Sequence, residues 1–232
     1  MFHYPRATVP NVYTFKDFEG SSHRILIDLI RRHSGNGGTL LDLGAAGGEL
    51  GHALREHFDR AIGFEYNVDC VGTLGACFDQ VVVTDLEQVK TLPKADAIVL
   101  ADVLEHLRDP ARALALVREA VDENGRVFIS VPNVANFTVR FALLLGMFNY
   151  QERGILDRTH IRFYTARTFR EEVERAGFRI LETKASSVPV RLVIGRFTPE
   201  AVLRTGEKVL SMVTRLWRNF FAYQIIVVAK KA

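Results

Sequence analysis

The chain has 232 residues, of which 48% are hydrophobic and 25% charged, a composition typical of a globular domain and unlike that of disordered chains. Its longest apolar run, 141–148, is too short to cross a bilayer. The formal net charge of +3 is unevenly divided: residues 1–132 carry 13 basic and 19 acidic side chains, and residues 133–232 carry 17 and 8. A basic half suits an anionic ligand, a membrane surface or a nucleic acid backbone, and uneven surface charge is the simpler alternative.

The N-terminus and the cysteines indicate the compartment. Residues 1–6 do not form a basic start followed by an apolar stretch, so no signal peptide is predicted. Cys70 and Cys77 lie in one predicted helix and match neither a zinc pattern nor a redox pair. We therefore expect a cytoplasmic protein with reduced, structural cysteines.

Residues 39–131 alternate short apolar runs with helical stretches, which is typical of a doubly wound parallel sheet. Ser21 or Ser22 is predicted to cap an earlier helix that covers the sheet. The clearest helix is capped by Asp109, runs from Pro110 to Val121 and is followed by a predicted turn at 122–125. The predicted strands are 39–43, 61–64, 80–83, 95–100 and 126–131.

Beyond Pro132 the alternation stops for residues 133–164, an insert of a length that is usually functional. A helix ending near Gly177 and a strand from about Phe178 follow. Thr198 and Pro199 then open an amphipathic helix, and a last strand at about 221–229 makes seven. We expect a single domain, 1–232, divided into an N-terminal helix region (1–37), a cofactor-binding core (38–132), an acceptor lid (133–164) and a C-terminal region (165–232).

Acidic residues stand at the ends of three successive predicted strands, and the first precedes a glycine-rich turn at 44–48. Such strand ends share one edge of an open α/β sheet, where ligands bind. Glu65 is placed to accept hydrogen bonds from both hydroxyls of a ribose. Asp85 is placed to accept a hydrogen bond from the exocyclic amine of adenine, while the N–H of Leu86 donates one to a ring nitrogen. Asp42 would repel a diphosphate and attract an ammonium. The expected ligand is a nucleoside with a cationic tail.

The turn departs from the dinucleotide-binding pattern, because Ala46 stands where that pattern requires glycine and Glu49 stands where it requires glycine or alanine. It resembles instead the acid-x-Gly-x-Gly-x-Gly turn of the class I S-adenosylmethionine-dependent methyltransferases, with Ala46 in place of the middle glycine, a change expected to cost little. Residues 96–110 resemble the fourth-strand motif of the small-molecule enzymes of that family. The likeness covers about residues 38–184.

The resemblance implies a Rossmann-like doubly wound sheet of seven strands, the last antiparallel, with a helical lid after strand 5 and an amphipathic helix before strand 7. It also implies S-adenosylmethionine as the cofactor and S-adenosylhomocysteine as the product. For the polar residues Asp102, Glu105 and His106 a metal cluster or a polar cap are alternatives; we favour cofactor contacts and expect no metal. The expected cofactor contacts are Asp42, Gly44, Ala45, Ala46, Gly48, Glu65, Tyr66, Asp85, Leu86, Ala101 and Asp102.

The acceptor side is expected in the insert. Segments similar to 154–164 occur in a subgroup that includes ubiquinone-type O-methyltransferases and enzymes of glycan, lipid and secondary-metabolite pathways, where a histidine lies near the transferred methyl. His160 is accordingly the first candidate for a base or an acceptor-positioning residue and His106 the second, with catalysis without a base left open. Aromatic residues beside arginines suit an acceptor with an apolar body and an anionic group, although a packed helical hairpin is an alternative. The expected acceptor contacts are Asn133, Arg140, Arg158 and Tyr164.

The sequence thus predicts methyl transfer to an oxygen or a nitrogen of a small molecule. An RNA methyltransferase and a non-catalytic S-adenosylmethionine-binding interaction protein are the alternatives. Nucleic acid is disfavoured, because strand 4 lacks the Asn/Asp-Pro-Pro-aromatic signature of adenine-directed enzymes and neither cysteine is placed for cytosine chemistry. For the amphipathic helix a homodimer interface, peripheral membrane contact and a role in the pocket stay open.

Overall fold

A computed structural model describes residues 20–189 and 198–232. Its centre is a seven-stranded sheet in the order β3-β2-β1-β4-β5-β7-β6, in which β7 runs antiparallel to both of its neighbours. The other pairings, from β3 to β5, are parallel. The predicted fold class is confirmed. The strands are β1 (Thr39–Leu43), β2 (Arg60–Glu65), β3 (Gln80–Val83), β4 (Ala95–Ala101), β5 (Val121–Pro132), β6 (Phe178–Ser186) and β7 (Gln224–Lys231).

Helices cover both faces of the sheet, as apolar strands buried on both sides require. One face packs against α1 and α2, and the opposite face against α4 and α6. Ser21 caps α1, and Asp109 caps α4 with Pro110 at its first position, both as the sequence predicts. The helices are α1 (Ser22–His33), α2 (Glu49–Leu54), α3 (Val71–Leu74), α4 (Pro110–Ala120), α5 (Phe137–Leu144), α6 (Ala166–Arg175), α7 (Glu200–Leu216) and α8 (Arg218–Phe221).

Three local predictions are wrong. The turn expected at 122–125 lies within β5, at a register shift where Val121 pairs with Ala95 and Arg126 with Ala97, so the extra residues are absorbed by the strand pairing. Cys70 and Cys77 do not share a helix, because α3 ends at Leu74. The last strand begins at Gln224, three residues later than expected, because 218–221 form α8.

The insert after β5 contains one helix, α5, followed by an irregular segment. Val139 of α5 packs with Ile155 and Leu156 in a small separate core. An isolated bridge between Asn133 and Tyr164 joins the two ends of the insert. Expectations for the N-terminus and for part of the second insert fall on residues 1–19 and 190–197, outside the described residues. None of the described helices is long and apolar enough to span a membrane.

Candidate functional site

The glycine-rich turn after β1 is held by backbone hydrogen bonds and by close packing. The N–H groups of Gly44 and Ala45 both donate to the carbonyl oxygen of Phe64, at 2.8 and 2.9 Å. Gly44 has a φ of 86°, and a Cβ there would lie 2.7 Å from Cγ2 of Val103. Gly48, the N-cap of α2, also has a left-handed φ of 85°. Both positions therefore require glycine. Gly44 is exposed, whereas Gly48 is buried.

Ala46 links the turn to β2. Its N–H donates to Oε2 of Glu65 at 2.8 Å, and the other carboxylate oxygen accepts from the N–H of Asn67 at 2.8 Å. Ala46 has a φ of 46°, a conformation that costs a residue with a Cβ about 1–2 kcal/mol. The sequence argument considered only the size of the alanine side chain, whereas the cost of alanine here comes from its backbone conformation.

Asp42 is a buried carboxylate beside this turn. Only 1% of the residue is exposed, and its Oδ1 has no hydrogen-bond partner in the described part of the chain. Burial, with smaller contributions from the charges of Glu65 and Glu49, raises the pKa of Asp42 to about 7. A buried acid without a partner is the arrangement that a bound cation would stabilise.

Asp85 and Leu86 follow β3, and the structure gives Asp85 a local role. One carboxylate oxygen accepts from the N–H of Glu87 at 2.9 Å, which caps the short 3-10 helix Leu86–Gln88. Leu86 is half-buried. Tyr66 is 73% exposed at the end of β2. Contact of these residues with adenine stays a prediction.

Asp102 follows the half-buried Ala101 at the end of β4, and two residues that the sequence argument missed hold its carboxylate. Oδ1 accepts from Oγ of Ser130 at 2.8 Å, and Oδ2 accepts from Nε2 of Gln224. Asp102 has a φ of 55°, and its N–H donates to Ser130 O at 3.1 Å. The sequence did carry a signal for these two residues: Ser130 is a polar residue inside the apolar run of β5, and Gln224 is a polar residue directly before the apolar run of β7.

Glu105, His106 and His160 lie together just beyond β4. Nε2 of His160 is 4.0 Å from Oε1 of Glu105, and the two imidazole rings are 4.8 Å apart in an edge arrangement. The carbonyl oxygen of Glu105 accepts from the N–H groups of Ile161 and Arg162 at 3.0 and 3.1 Å. The insert is therefore attached to the strand end through this backbone, and both predicted catalytic histidines meet at one place.

Burial dominates the electrostatics of this cluster. It raises the pKa of Glu105 well above its ordinary value, and the charges of Asp102 and Asp157 add to the effect. Burial lowers the pKa of His106, and His160 lowers it further. Both shifts favour the uncharged forms of these two residues.

The four expected acceptor contacts differ in burial and in their partners, and two of them, Asn133 and Tyr164, are joined by the isolated bridge. Asn133 is fully buried and donates to the carbonyl of Ala222 at 2.9 Å. Arg140 donates to the carbonyl of Ala135 at 2.6 Å. Arg158 is exposed and pairs with Glu152, while Tyr164 is 6% exposed with an unpartnered hydroxyl. Burial raises the pKa of Tyr164 to about 12. Their acceptor roles stay predictions.

The carboxyl ends of β1 to β4 share one edge of the sheet, because these strands are parallel. Asp42, Glu65 and the turn meet there, and the cluster of Glu105 with the two histidines follows the end of β4, next to β1. The turn with its acidic side chains and the cluster with its two histidines therefore follow neighbouring strands at the same edge of the sheet.

A family model described as a methyltransferase domain matches residues 18–183. The chain belongs to this methyltransferase family. The resemblance found in the sequence is confirmed. No curated protein sequence matches the chain.

Solved structures of methyltransferases share the fold. An S-adenosylmethionine-dependent methyltransferase from Archaeoglobus fulgidus aligns with a TM-score of 0.60 and 20% identity over 90% of this chain and 95% of that one. A methyltransferase from Bacillus halodurans, described as putative in its name, aligns with a TM-score of 0.61 and 19% identity over 91% of this chain and 99% of that one. Magnesium protoporphyrin IX methyltransferase from Synechocystis, solved with bound S-adenosylhomocysteine, aligns with a TM-score of 0.60 and 16% identity over 90% of this chain and 81% of that one.

Proposed function

We propose that this methyltransferase-family protein binds S-adenosylmethionine at the edge formed by β1 to β4 and transfers its methyl group to an oxygen of a small-molecule acceptor. The observation that carries the proposal is the buried Asp42 carboxylate, unpartnered at Oδ1, beside the glycine-rich turn, in which Gly44 is exposed. An ammonium or sulfonium cation fits such a carboxylate, whereas a diphosphate would be repelled.

The remaining residues fit the other parts of this donor. Each oxygen of Glu65 already accepts one backbone N–H and retains a lone pair, so the carboxylate can also accept two ribose hydroxyls. Asp85 keeps acceptor capacity for the adenine amine after capping its 3-10 helix. The S-adenosylhomocysteine of the Synechocystis enzyme and the donor named for the Archaeoglobus enzyme support the same choice.

S-adenosylmethionine supplies a methyl group on a positively charged sulfur that is open to in-line displacement. The chain's contribution is mainly to hold the reactants in line, and such positioning can supply about 7–11 kcal/mol. His160 is placed to accept or orient the acceptor's proton. Its Nδ1 faces the carbonyl of Ile155 at 3.0 Å, which leaves Nε2 with the lone pair. A hydroxyl acceptor suits a nitrogen base of this kind.

The test is calorimetric titration of the full chain with S-adenosylmethionine and with S-adenosylhomocysteine. A second assay measures S-adenosylhomocysteine production over matched acceptors that carry either a hydroxyl or an amine. We expect saturable 1:1 binding of both nucleosides and turnover with hydroxyl acceptors. Absence of binding would refute the donor assignment. Binding with turnover only on amines would refute oxygen transfer, and RNA as the preferred acceptor would refute the small-molecule class.

A further inference from the structure

The three side chains that meet beyond β4 form a compact donor set. Glu105 and His106 belong to the short 3-10 helix Leu104–His106, and His160 comes from the end of the insert. One oxygen or nitrogen atom from each lies within 4.8 Å of the other two. Two imidazole nitrogens and one carboxylate oxygen are thus brought together by two distant segments of the chain.

Both histidines are oriented by backbone carbonyls. Nδ1 of His160 lies 3.0 Å from the carbonyl oxygen of Ile155, and Nδ1 of His106 lies 3.3 Å from that of Thr159. A carbonyl can only accept, so Nδ1 carries the proton in each ring and Nε2 carries the lone pair. Metal-binding histidines typically have their second ring nitrogen fixed in this way.

The carboxyl group of Glu105 is buried without a hydrogen bond to any residue that the structure describes. The residue is 1% exposed, and neither carboxylate oxygen has a hydrogen-bond partner within residues 20–189 and 198–232. A buried carboxyl group without hydrogen bonds is costly, and a cation bound by it would remove that cost. This unpaired group is the second, independent indication of a ligand.

Neighbouring acids are already committed elsewhere. Oδ1 of Asp102 accepts from Ser130, and Oδ2 accepts from Gln224. Oδ1 of Asp157 accepts from the N–H and the hydroxyl of Thr159 at 2.8 and 2.7 Å. Glu105 differs from these two acids because neither of its carboxyl oxygens has a hydrogen bond to a described residue, so the donor set is its carboxylate with the two imidazoles.

We propose that Glu105, His106 and His160 bind one divalent first-row transition metal ion, for which Zn²⁺ is the best match. Two histidines and one glutamate are a known ligand set of catalytic zinc sites, which keep a further position open. Mg²⁺ and Ca²⁺ prefer oxygen ligands and fit less well. This reverses the sequence expectation of no metal.

The consequence for catalysis rests on the proposed function. An acceptor hydroxyl bound at the open position would have a lowered pKa and would lose its proton to solvent near neutral pH. Its oxygen would then form a bond to the methyl carbon while the carbon–sulfur bond breaks, and the electron pair of that bond would stay on the sulfur of S-adenosylhomocysteine. His160 then acts as a metal ligand and the ion takes over the activation of the acceptor. Binding of the ion itself does not depend on methyl transfer.

The experiment uses the full chain, stripped of metal with a chelator that is then removed. Co²⁺ serves as a spectroscopic probe of Zn²⁺ sites, and ZnCl₂ is titrated in parallel by calorimetry. We expect 1:1 binding and the intense visible absorption of a Co²⁺ ion with four or five ligands. Glu105→Gln and His160→Gln should each weaken binding by at least about tenfold.

His52→Gln is the matched control, because His52 is exposed on α2 and away from the cluster. It should bind Co²⁺ like the wild type. Glu105→Gln removes a buried carboxyl group that has no hydrogen bond in the described part of the chain, so without metal it should unfold at about the same temperature as the wild type or at a higher one. Added Zn²⁺ should raise the unfolding temperature of the wild type and of His52→Gln more than that of Glu105→Gln.

Absence of 1:1 binding by the wild type, or equal binding by Glu105→Gln, His160→Gln and the wild type, would overturn the metal site. Titration of the same preparation with S-adenosylmethionine separates the two proposals. Metal binding without donor binding would refute the proposed function alone, and donor binding without metal binding would refute this inference alone.

Discussion

Gln224, the first residue of β7, donates a hydrogen bond to Asp102 at the end of β4, although 122 positions separate them in the chain. The two strands flank β5, whose Ser130 binds the other oxygen of Asp102. Asp102 thus sits in a left-handed conformation with both of its carboxylate oxygens hydrogen-bonded. The antiparallel last strand contributes directly to the geometry of the site.

Replacing Gln224 by leucine should therefore destabilise the protein. The change leaves Oδ2 of Asp102 without its donor, and the loss of one partner from a buried group costs about 1–3 kcal/mol in the free energy of unfolding. Urea unfolding followed by circular dichroism measures it. Gln80→Leu is the control, since the side chain of Gln80 is exposed at the start of β3 and accepts a hydrogen bond from Arg60. An equal loss in both variants would contradict the role of Gln224.

Glu65→Gln should weaken binding of S-adenosylmethionine by about tenfold to a hundredfold, because hydrogen bonds to a charged group are worth about 1.5–3 kcal/mol. Glutamine also offers an N–H₂ group where the N–H of Ala46 or Asn67 needs an acceptor. Calorimetric titration measures the affinity. Glu56→Gln, at an exposed position, should bind the donor like the wild type, and unchanged affinity in Glu65→Gln would remove Glu65 from the donor site.

Much of this architecture could be predicted from the sequence, because buried strands and capped helices are local patterns. Runs such as 39–43 and 80–83 carry their own apolar signature, and Pro110 after Asp109 marks a helix start. The acids at the strand ends followed from the parallel topology.

The parts that could not be predicted depend on long-range contacts. The pairing of Asp102 with Gln224 requires the position of β7 in the sheet, and the meeting of Glu105 with His160 requires the path of the insert. The left-handed conformation of Ala46 depends on the carboxylate of Glu65. No local periodicity encodes such contacts.

The ionisation of Asp42 should make stability depend on pH. Its pKa is about 7 in the folded chain against an ordinary value of 3.8, so between about pH 4 and about pH 7 the folded state binds more protons than the unfolded state. The free energy of unfolding contributed by this group therefore falls as pH rises through that window and is lowest above it. Asp42→Asn should flatten this slope in urea unfolding measured across the window.

The same ionisation should control the donor. S-adenosylmethionine is expected to bind about tenfold more tightly at about pH 7 than at about pH 5.5, because the ionised carboxylate attracts the cation. Asp42→Asn should bind weakly at both values. An equal pH dependence of affinity in the wild type and in Asp42→Asn would show that another group is responsible.

Ala46→Gly should stabilise the turn. Glycine adopts the left-handed conformation without the cost of about 1–2 kcal/mol that alanine has there. Glycine also gives the unfolded chain more conformational freedom, which lowers the free energy of unfolding by about 0.4–1 kcal/mol. The expected net change is an increase of about 0 to 1.6 kcal/mol in the free energy of unfolding, with donor affinity retained. Ala53→Gly, inside α2, is the control and should destabilise the protein. A destabilised Ala46→Gly would contradict the assignment of backbone strain.

His160→Ala should separate chemistry from donor binding. The residue is held by the carbonyl of Ile155 in the insert, whereas the proposed donor-binding groups lie at the ends of β1 to β4 and in the turn, so S-adenosylmethionine affinity should stay within a few-fold of the wild type. Turnover should fall by about 10²–10⁴, the contribution typical of an acid–base group. Calorimetry and S-adenosylhomocysteine production on one preparation provide the two readouts. His52→Ala, on the exposed side of α2, should change neither. Loss of donor binding in His160→Ala would contradict this prediction. A residue that contacts only the acceptor does not change donor affinity measured without acceptor, so such a loss would show that the insert also shapes the donor site.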